Sequence, residues 1–313
     1  MPSPAPVDVV VVTYNPGHTI ADFLASIAPA GGAASVTVVD NDSHDGAAQA
    51  AAVDAGVTFL PSGRNAGYGT AANLGAAAGT APWILVSNAD IVLAPQALAS
   101  LVAVGEAHPG IGQVGPLVRE LDGSVYPSAR PLPSLVMGAG HALLGRVWPR
   151  NPWTRAYRPV LRVDGAEVDG AEVDAGWLSG SCFLVRREAW ESVGGFDEGF
   201  FMFFEDVDLG RRLGARQWRR VWTPRAEVTH MGGHTWRKDP TPMLRAHHAS
   251  ARRYMSLVYP HAWQAPLRWA AAGLLEARQR AEVRAFERDL RQGAVPGDEG
   301  AAGSSGPAPH RAD

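Results

Sequence analysis

Apolar and polar positions run in blocks along the first third of the chain. Val7 to Thr13 reads Val-Asp-Val-Val-Val-Val-Thr, β-branched and almost wholly apolar, as in a central strand buried on both faces. His18 to Ala28 places Ile20, Phe23, Leu24 and Ile27 at helical spacing. Ser35 to Asp40 predicts a second strand, residues 45–55 an Ala-rich helix, and Val57 to Leu60 a third strand. Tyr68 to Ala78 predicts another helix. The apolar run from Trp83 enters a fourth strand, stops at Asn88-Ala89-Asp90 and resumes at Ile91. Pro95, a good first helical residue, opens a helix to about His108. Strand and helix alternate, which predicts a parallel sheet with helices on both faces.

Polar residues gather where these strands end: Thr13-Tyr14-Asn15, Asp40-Asn41, Arg64-Asn65 and Asn88-Ala89-Asp90. In a parallel sheet the ends share one edge, the place where open α/β sheets take ligands. Tyr14 suits covering a base, Asp40 accepting from a base or ribose, and Arg64 meeting a phosphate bidentately. A lone carboxylate at Asp90 suits a divalent cation held against a diphosphate. Taken singly, each residue reads as readily as a cap or turn. Four clusters on one edge are better explained by one ligand. The first turn, Thr-Tyr-Asn-Pro-Gly, lacks the Gly-x-Gly-x-x-Gly of dinucleotide folds, and no Gly-Lys-Ser/Thr follows a strand.

Beyond Gly112 to Leu117, another strand, Glu120 to Val125 signals a hairpin through Asp122-Gly123. The regular pattern then stops. Between Arg130 and Pro159, Arg146, Arg150, Arg155 and Arg158 interleave with Trp148, Trp153 and Tyr157 around an apolar centre. That suits an interfacial anchor on anionic lipid, and equally a surface excursion packed on the domain. Val-Asp-Gly-Ala-Glu occurs twice, at 163–167 and 168–172, and reads as a loop expansion. Trp177 to Val185 is a small-residue turn, Gly180-Ser181, into a buried strand, and Arg187 to Val193 a short helix. Phe200 to Phe204 then lead into three acids, Glu205, Asp206 and Asp208. Apolar surroundings raise a carboxylate toward the range of a general base, whereas acids at a helix N-terminus also answer the helix dipole. Both readings hold together for a helix from Glu205 through Arg212. Gln217-Trp218-Arg219-Arg220-Val221 reads as the approach to a strand. His230, with His234 as second choice, suits a metal or diphosphate contact. Residues 241–259 and 263–290 read as helices, and the Gly/Ser/Pro/Ala tail as disordered.

Composition narrows the classes. The 313 residues are 46% hydrophobic and 19% charged, which fits a globular protein with a sizeable core. A net charge of −3 gives no reason to expect nucleic acid. The single Cys182 excludes an intramolecular disulfide and suits a reducing, cytoplasmic setting. No signal peptide or membrane-spanning run is expected. Ten Trp, several close to Arg, keep open a peripheral seat on the inner face of the plasma membrane. The sequence is silent on oligomeric state and compatible with a homo-oligomer.

Val-Val-Thr-Tyr-Asn (11–15), Val-Val-Asp-Asn (38–41), Asn-Ala-Gly-Tyr-Gly (65–69), Ala-Asn (72–73) and Ser-Asn-Ala-Asp (87–90) together resemble the inverting family 2 glycosyltransferases of GT-A fold, nearest the rhamnosyltransferase branch. The resemblance implies an α/β fold with a mixed central sheet flanked by helices over residues 1–260, a helical extension over 261–292 and a disordered tail over 293–313. It implies a nucleotide-sugar site at Thr13, Tyr14, Asn15, Asp40, Asn41, Arg64, Asn65, Gly67, Asn73, Asn88, Ala89 and Asp90. Asn88 stands where the family carries the first Asp of Asp-x-Asp, leaving Asp90 as the metal carboxylate. Gly-Gly-Phe-Asp-Glu and Phe-Phe-Glu-Asp-Val-Asp (194–208) imply Asp206 as catalytic base with Glu205 adjacent, and Trp177, Gly180 and Ser181 as the acceptor pocket. His-x-x-Gly-x-Thr implies that His230 completes the Mg²⁺ or Mn²⁺ site with Asp90 or meets the diphosphate. The branch implies dTDP-L-rhamnose as nucleotide-sugar donor and a lipid-linked acceptor, polyprenyl-diphospho-GlcNAc, in cell-wall linker or polysaccharide synthesis. The alternatives are another donor (a UDP-hexose or galactofuranose), a non-catalytic nucleotide-sugar binding module and, less well supported, a nucleotidyltransferase.

Overall fold

The computed structural model describes residues 5–133, 163–164, 167–168, 170–232, 241–266, 268–273, 275–277 and 280. Expectations for most of Arg130–Pro159, for His234 and its Gly-x-Thr context, and for the tail lie outside the described residues. The chain divides into two compact units, Met1–Pro260 and His261–Asp313.

The first unit opens β1 (Val7–Thr13), α1 (Thr19–Ile27), β2 (Ser35–Asp40), α2 (Ala47–Ala55), β3 (Thr58–Pro61), α3 (Tyr68–Ala77) and β4 (Trp83–Asn88). It continues through β5 (Ile91–Leu93), α4 (Ala97–Glu106), β6 (Ile111–Glu120), β7 (Val125–Tyr126), β8 (Ala129–Arg130), β9 (Val163–Asp164), β10 (Glu167–Val168), β11 (Val173–Asp174), β12 (Trp177–Leu178) and β13 (Cys182–Arg186). Helices α5 (Arg187–Val193) and α6 (Glu205–Ala215), strand β14 (Arg219–His230) and helix α7 (Thr241–Val258) complete it. The main sheet runs β11-β14-β6-β13-β4-β1-β2-β3. The quarter that the alternating pattern describes, β3-β2-β1-β4, is parallel throughout. From β4 onward the sheet is mixed: β13 is antiparallel to both β4 and β6, and β14 is parallel to β6 but antiparallel to β5.

Successive residues of β1 serve opposite faces, as the pleat requires. Val9 and Val11 pack in one cluster with Ile20, Phe23 and Ile27 of α1 and Leu98 and Leu101 of α4. Val10 and Val12 pack in another with Ala71, Ala72 and Ala76 of α3, Trp190 of α5 and Leu209 of α6. The small residues of α3 let it lie close: a Cβ on Gly75 would stand 2.4 Å from a Val10 methyl.

One local expectation changes. Helix α4 begins at Ala97 rather than Pro95, because Gln96 takes a left-handed φ of 64° and interrupts the helix there. The two copies of Val-Asp-Gly-Ala-Glu adopt unlike roles. Residues 163–164 pair with 167–168 as an isolated ribbon, whereas Val173–Asp174, after the second copy, joins the main sheet beside β14. The second unit has a 3₁₀ turn, Ala262–Gln264, and helical residues to 280. Among the described residues no helix is long and apolar enough to cross a membrane.

Candidate active site

Strand register brings the polar strand ends together: Thr13 lies opposite Asp40, Asp40 opposite Pro61, and Val12 opposite Asn88. Much of this polarity holds loops. The Thr13 hydroxyl donates to Asp40 Oδ1 (2.9 Å) and the Ser43 N–H to Asp40 Oδ2 (3.0 Å). The Asn41 amide donates to Asn65 Oδ1 (2.9 Å) and accepts from the Ala66 N–H (3.0 Å). Tyr14, Asn15, Asn88, Ala89 and Asp90 line a recess of about 280 Å³, and Tyr14 is 41% exposed there. Arg64 and Asn73 are not brought to it. They line a separate groove with Arg187 and Glu198. Arg64 follows β3, the edge strand three places from β4. Asn73 is taken up by the loop before α6, donating to Phe196 O (3.0 Å) and accepting from the Phe196 N–H (2.9 Å). Gly67, at φ 92°, serves close packing: a Cβ there would stand 2.3 Å from Phe201 O.

Register alone builds the next corner. On β14, His230 lies opposite Ile91 of β5 and Glu120 of β6, and the Met231 N–H binds Asp90 O at 2.7 Å. The imidazole sits between two carboxylates, Nε2 3.2 Å from Asp90 Oδ2 and Nδ1 3.2 Å from Glu120 Oε2. The hydrogen bond to Asp90, opposed by burial and reinforced by the charges of Asp90 and Glu120, raises His230 to about 9. Asp90 Oδ1 is buried with no hydrogen-bond partner among the described residues. This corner fits a divalent cation. Two ligands on one cation at ~2.1 Å each stand roughly 3 Å apart when adjacent, close to the observed 3.2 Å. Glu120 is placed to orient the imidazole from its far nitrogen. Among the described residues no cluster of three or more His, Cys, Asp or Glu could hold a metal.

The acids lie across the cleft. Phe203 and Phe204 both take left-handed φ, 67° and 66°, and α6 starts immediately after them. The three acids of its first turn separate. Asp208 is fully buried and paired with Arg211 (2.6 Å) and Arg212 (2.5 Å). Glu205 is 6% exposed, with Oε2 unpartnered among the described residues. Asp206 reaches the cleft, accepting from the Gly180 N–H (2.9 Å) and the Val207 N–H (2.8 Å). Burial raises Asp206 above the ordinary carboxylate range, against the pull of those N–H groups. Burial, then the charge of Asp206, raises Glu205. The Tyr68 hydroxyl donates to Gly180 O (2.6 Å) and fixes the turn. Ser181 O receives the Asn88 N–H (2.9 Å), which ties this wall to β4. Trp177 Nε1 donates to Pro131 O (3.1 Å). Asn88, His230, Asp206, Glu205, Gly180, Ser181 and Trp177 line one cleft of about 920 Å³, and Asn88 also lines the recess beside Tyr14. Sequence reasoning missed Tyr126 and Arg130, which also line the cleft, and Glu120, which holds the His230 imidazole. Glu120 had no signal but its place in the register.

The family model "Glycosyltransferase like family 2" matches residues 4–249. The chain belongs to glycosyltransferase family 2. Its fold is GT-A, and this family 2 glycosyltransferase is an enzyme of that class. It is 46% identical over 297 residues, 91% of this chain and 95% of the relative, to the N-acetylglucosaminyl-diphospho-decaprenol L-rhamnosyltransferase of Mycobacterium tuberculosis. Its fold is similar to that of a mannosyltransferase from Pyrobaculum calidifontis in complex with GDP-Man and Mn²⁺ (TM-score 0.53, 19% identity, 94% of this chain and 76% of that one). It is also similar to that of GalNAc-T7 with UDP, GalNAc and Mn²⁺ (TM-score 0.54, 17% identity, 74% of this chain and 45% of that one).

Proposed function

We propose that this enzyme transfers L-rhamnose from dTDP-L-rhamnose to polyprenyl-diphospho-GlcNAc, with inversion, in cell-wall linker or polysaccharide synthesis. The observation that carries the reading is a cleft lined by both Asp206 and His230, with His230 paired to Asp90 of the adjoining recess. The Mycobacterium relative, 46% identical along nearly its whole length, supports the sugar and the acceptor. Tyr14 and Asn15 line the recess for the nucleotide. Asp90 and His230 would hold Mg²⁺ or Mn²⁺, which would supply positive charge to the leaving diphosphate. Asp206 takes the proton from the acceptor hydroxyl as that oxygen bonds to the anomeric carbon. The bond to the dTDP oxygen breaks on the opposite face, and one displacement inverts the centre. Burial and the charge of Asp206 raise Glu205, which favours the neutral form of the second acid beside the base. A lipid-linked acceptor places the enzyme peripherally on the inner face of the membrane.

Calorimetric titration of dTDP-rhamnose, UDP-glucose and UDP-galactofuranose, each with and without Mn²⁺, tests the donor. Metal-dependent binding of the dTDP sugar alone is expected, and Asp90→Ala should abolish the metal effect. Preference for a UDP sugar would overturn the rhamnosyl assignment. Metal-independent binding unchanged by Asp90→Ala would overturn the metal corner.

A further inference from the structure

The cleft contains a cation that the displacement chemistry above leaves unused. Arg130 ends β8, opposite Trp177 of β12. Its guanidinium carbon lies 5.5 Å from the Trp177 ring centre and 5.6 Å from that of Tyr126. Its Nε donates to Pro127 O (2.8 Å), which fixes the plane of the fork. Elsewhere in the first unit, Arg186, Arg187, Arg212 and Arg253 each end on a carboxylate. Arg130, by contrast, has no ion-pair partner among the described residues, and its two terminal nitrogens meet no acceptor there. A guanidinium fixed between two rings, with two donors facing a cleft, is preorganised for a phosphate or carboxylate.

Its position separates it from the donor's diphosphate. The Tyr126 ring, which carries Arg130 on its face, is also the neighbour of His230 at 6.5 Å between ring centres. Arg130 lines the cleft of Asp206 and is absent from the recess lined by Tyr14, Asn15 and Asp90. The same cleft has apolar lining in Leu132, Met202, Phe203 and Phe204. An acceptor with its sugar at Asp206 presents, in order, a sugar hydroxyl, a diphosphate and a hydrocarbon chain. Asp206, Arg130 and the apolar side chains Leu132, Phe203 and Phe204 supply the complementary chemistry within one cleft.

We propose that Arg130 binds the diphosphate of the lipid-linked acceptor and makes the enzyme prefer acceptors that carry one. The inference rests on the function proposed above. It is tested by transfer to two acceptors, a short-chain polyprenyl-diphospho-GlcNAc and the uncharged octyl glycoside of GlcNAc. In the wild type kcat/KM should favour the diphosphate acceptor. Arg130→Met should lower that preference by roughly tenfold or more, the effect of losing a charge-assisted pair, mainly through KM. Arg130→Lys should recover part of it, and because Lys keeps the stem and charge its behaviour separates lost recognition from lost folding. An equal fall on both acceptors, or an unchanged preference, would overturn the role of Arg130 and leave the transferase reading standing. A wild type that glycosylates neither acceptor would overturn the proposed function, and this assignment with it.

Discussion

Replacing Asp206 with Asn tests the catalytic reading with the least change of shape. The carboxylate accepts one backbone N–H on each oxygen, from Gly180 at 2.9 Å and Val207 at 2.8 Å. An amide has a single acceptor oxygen, so one of those N–H groups must face an NH₂. That mismatch costs about 1–3 kcal/mol of stability, a fall of several degrees in Tm for a unit of this size. The rate effect is separate and larger. A positioned base contributes roughly 10²–10⁴-fold, about 3–5 kcal/mol of barrier, and the amide cannot take a proton. Donor binding should hold, because Asp206 is absent from the recess lined by Tyr14, Asn15 and Asp90. The assay pairs single-turnover transfer with calorimetric titration of the donor, on protein shown to be folded by its melting curve. Turnover within about tenfold of wild type would refute Asp206 as the base. So would a loss of donor affinity matching the loss of turnover.

Glu205→Gln should alter stability in a pH-dependent way. The folded state holds the Glu205 proton above the unfolded value of about 4.3, through burial and the charge of Asp206. Folded protein therefore binds the extra proton, and its stability falls as pH rises from about 5 through the raised value. The variant lacks that slope, so its Tm should gain on the wild type toward alkali, by the equivalent of about 1–3 kcal/mol. A constant difference between pH 5 and pH 9 would refute the shift. Asp208→Asn should destabilise by about 3 kcal/mol, the low end for breaking a buried ion pair, because Arg211 and Arg212 keep side-chain exposures of 30% and 21%. Urea denaturation checks it, and a loss under about 1 kcal/mol would make Asp208 an ordinary first-turn acid.

The legible parts of this molecule were those in which one stretch of sequence decides its own structure. β1, β2 and β4 are near-continuous apolar runs, and a strand buried on both faces needs little else. Helix α5 is bounded by a buried strand on one side and Gly194 at φ 72° on the other, both visible in the sequence. The start of α4 was misplaced because a left-handed Gln96 has no local marker comparable to a glycine. The site was legible where residues sit at strand ends, as at Asp90, and opaque where partners come from three strands. Glu120 reaches His230 only because β6 and β14 pair with that register. Among the acids of α6 a signal was available: Arg211 and Arg212 stand three and four residues after Asp208, the spacing at which helix side chains meet. That spacing singles out Asp208 as the paired acid and leaves Asp206 for the cleft. Asn73 lies in a family-like motif, yet a motif does not say which side of α3 a residue faces, and Arg64, just before such a motif, sits on the loop after β3.

The backbone before α6 explains why an acid reaches the cleft at all. Two consecutive non-glycine residues in the left-handed region, Phe203 and Phe204, cost on the order of 1–2 kcal/mol each, so the surroundings must hold them. They do so from several directions. Phe201 O accepts the Tyr68 N–H at 3.0 Å, an approach that only Gly67 permits. Ser250 Oγ donates to Met202 O at 2.7 Å, and the Phe204 ring packs 5.5 Å from that of Tyr254. Were the helix to start earlier, with Phe203 and Phe204 in helical conformation, the chain from Phe201 could not enter along its present path beside Gly67. The Asp206 carboxylate would then lose its alignment with the Gly180 N–H. The strained pair thus couples three things: Asp208 on its two arginines, Glu205 in the interior, and Asp206 held by backbone donors at the edge of the cleft. Carboxylate position is thereby fixed before any substrate arrives, which a base acting on a single hydroxyl requires.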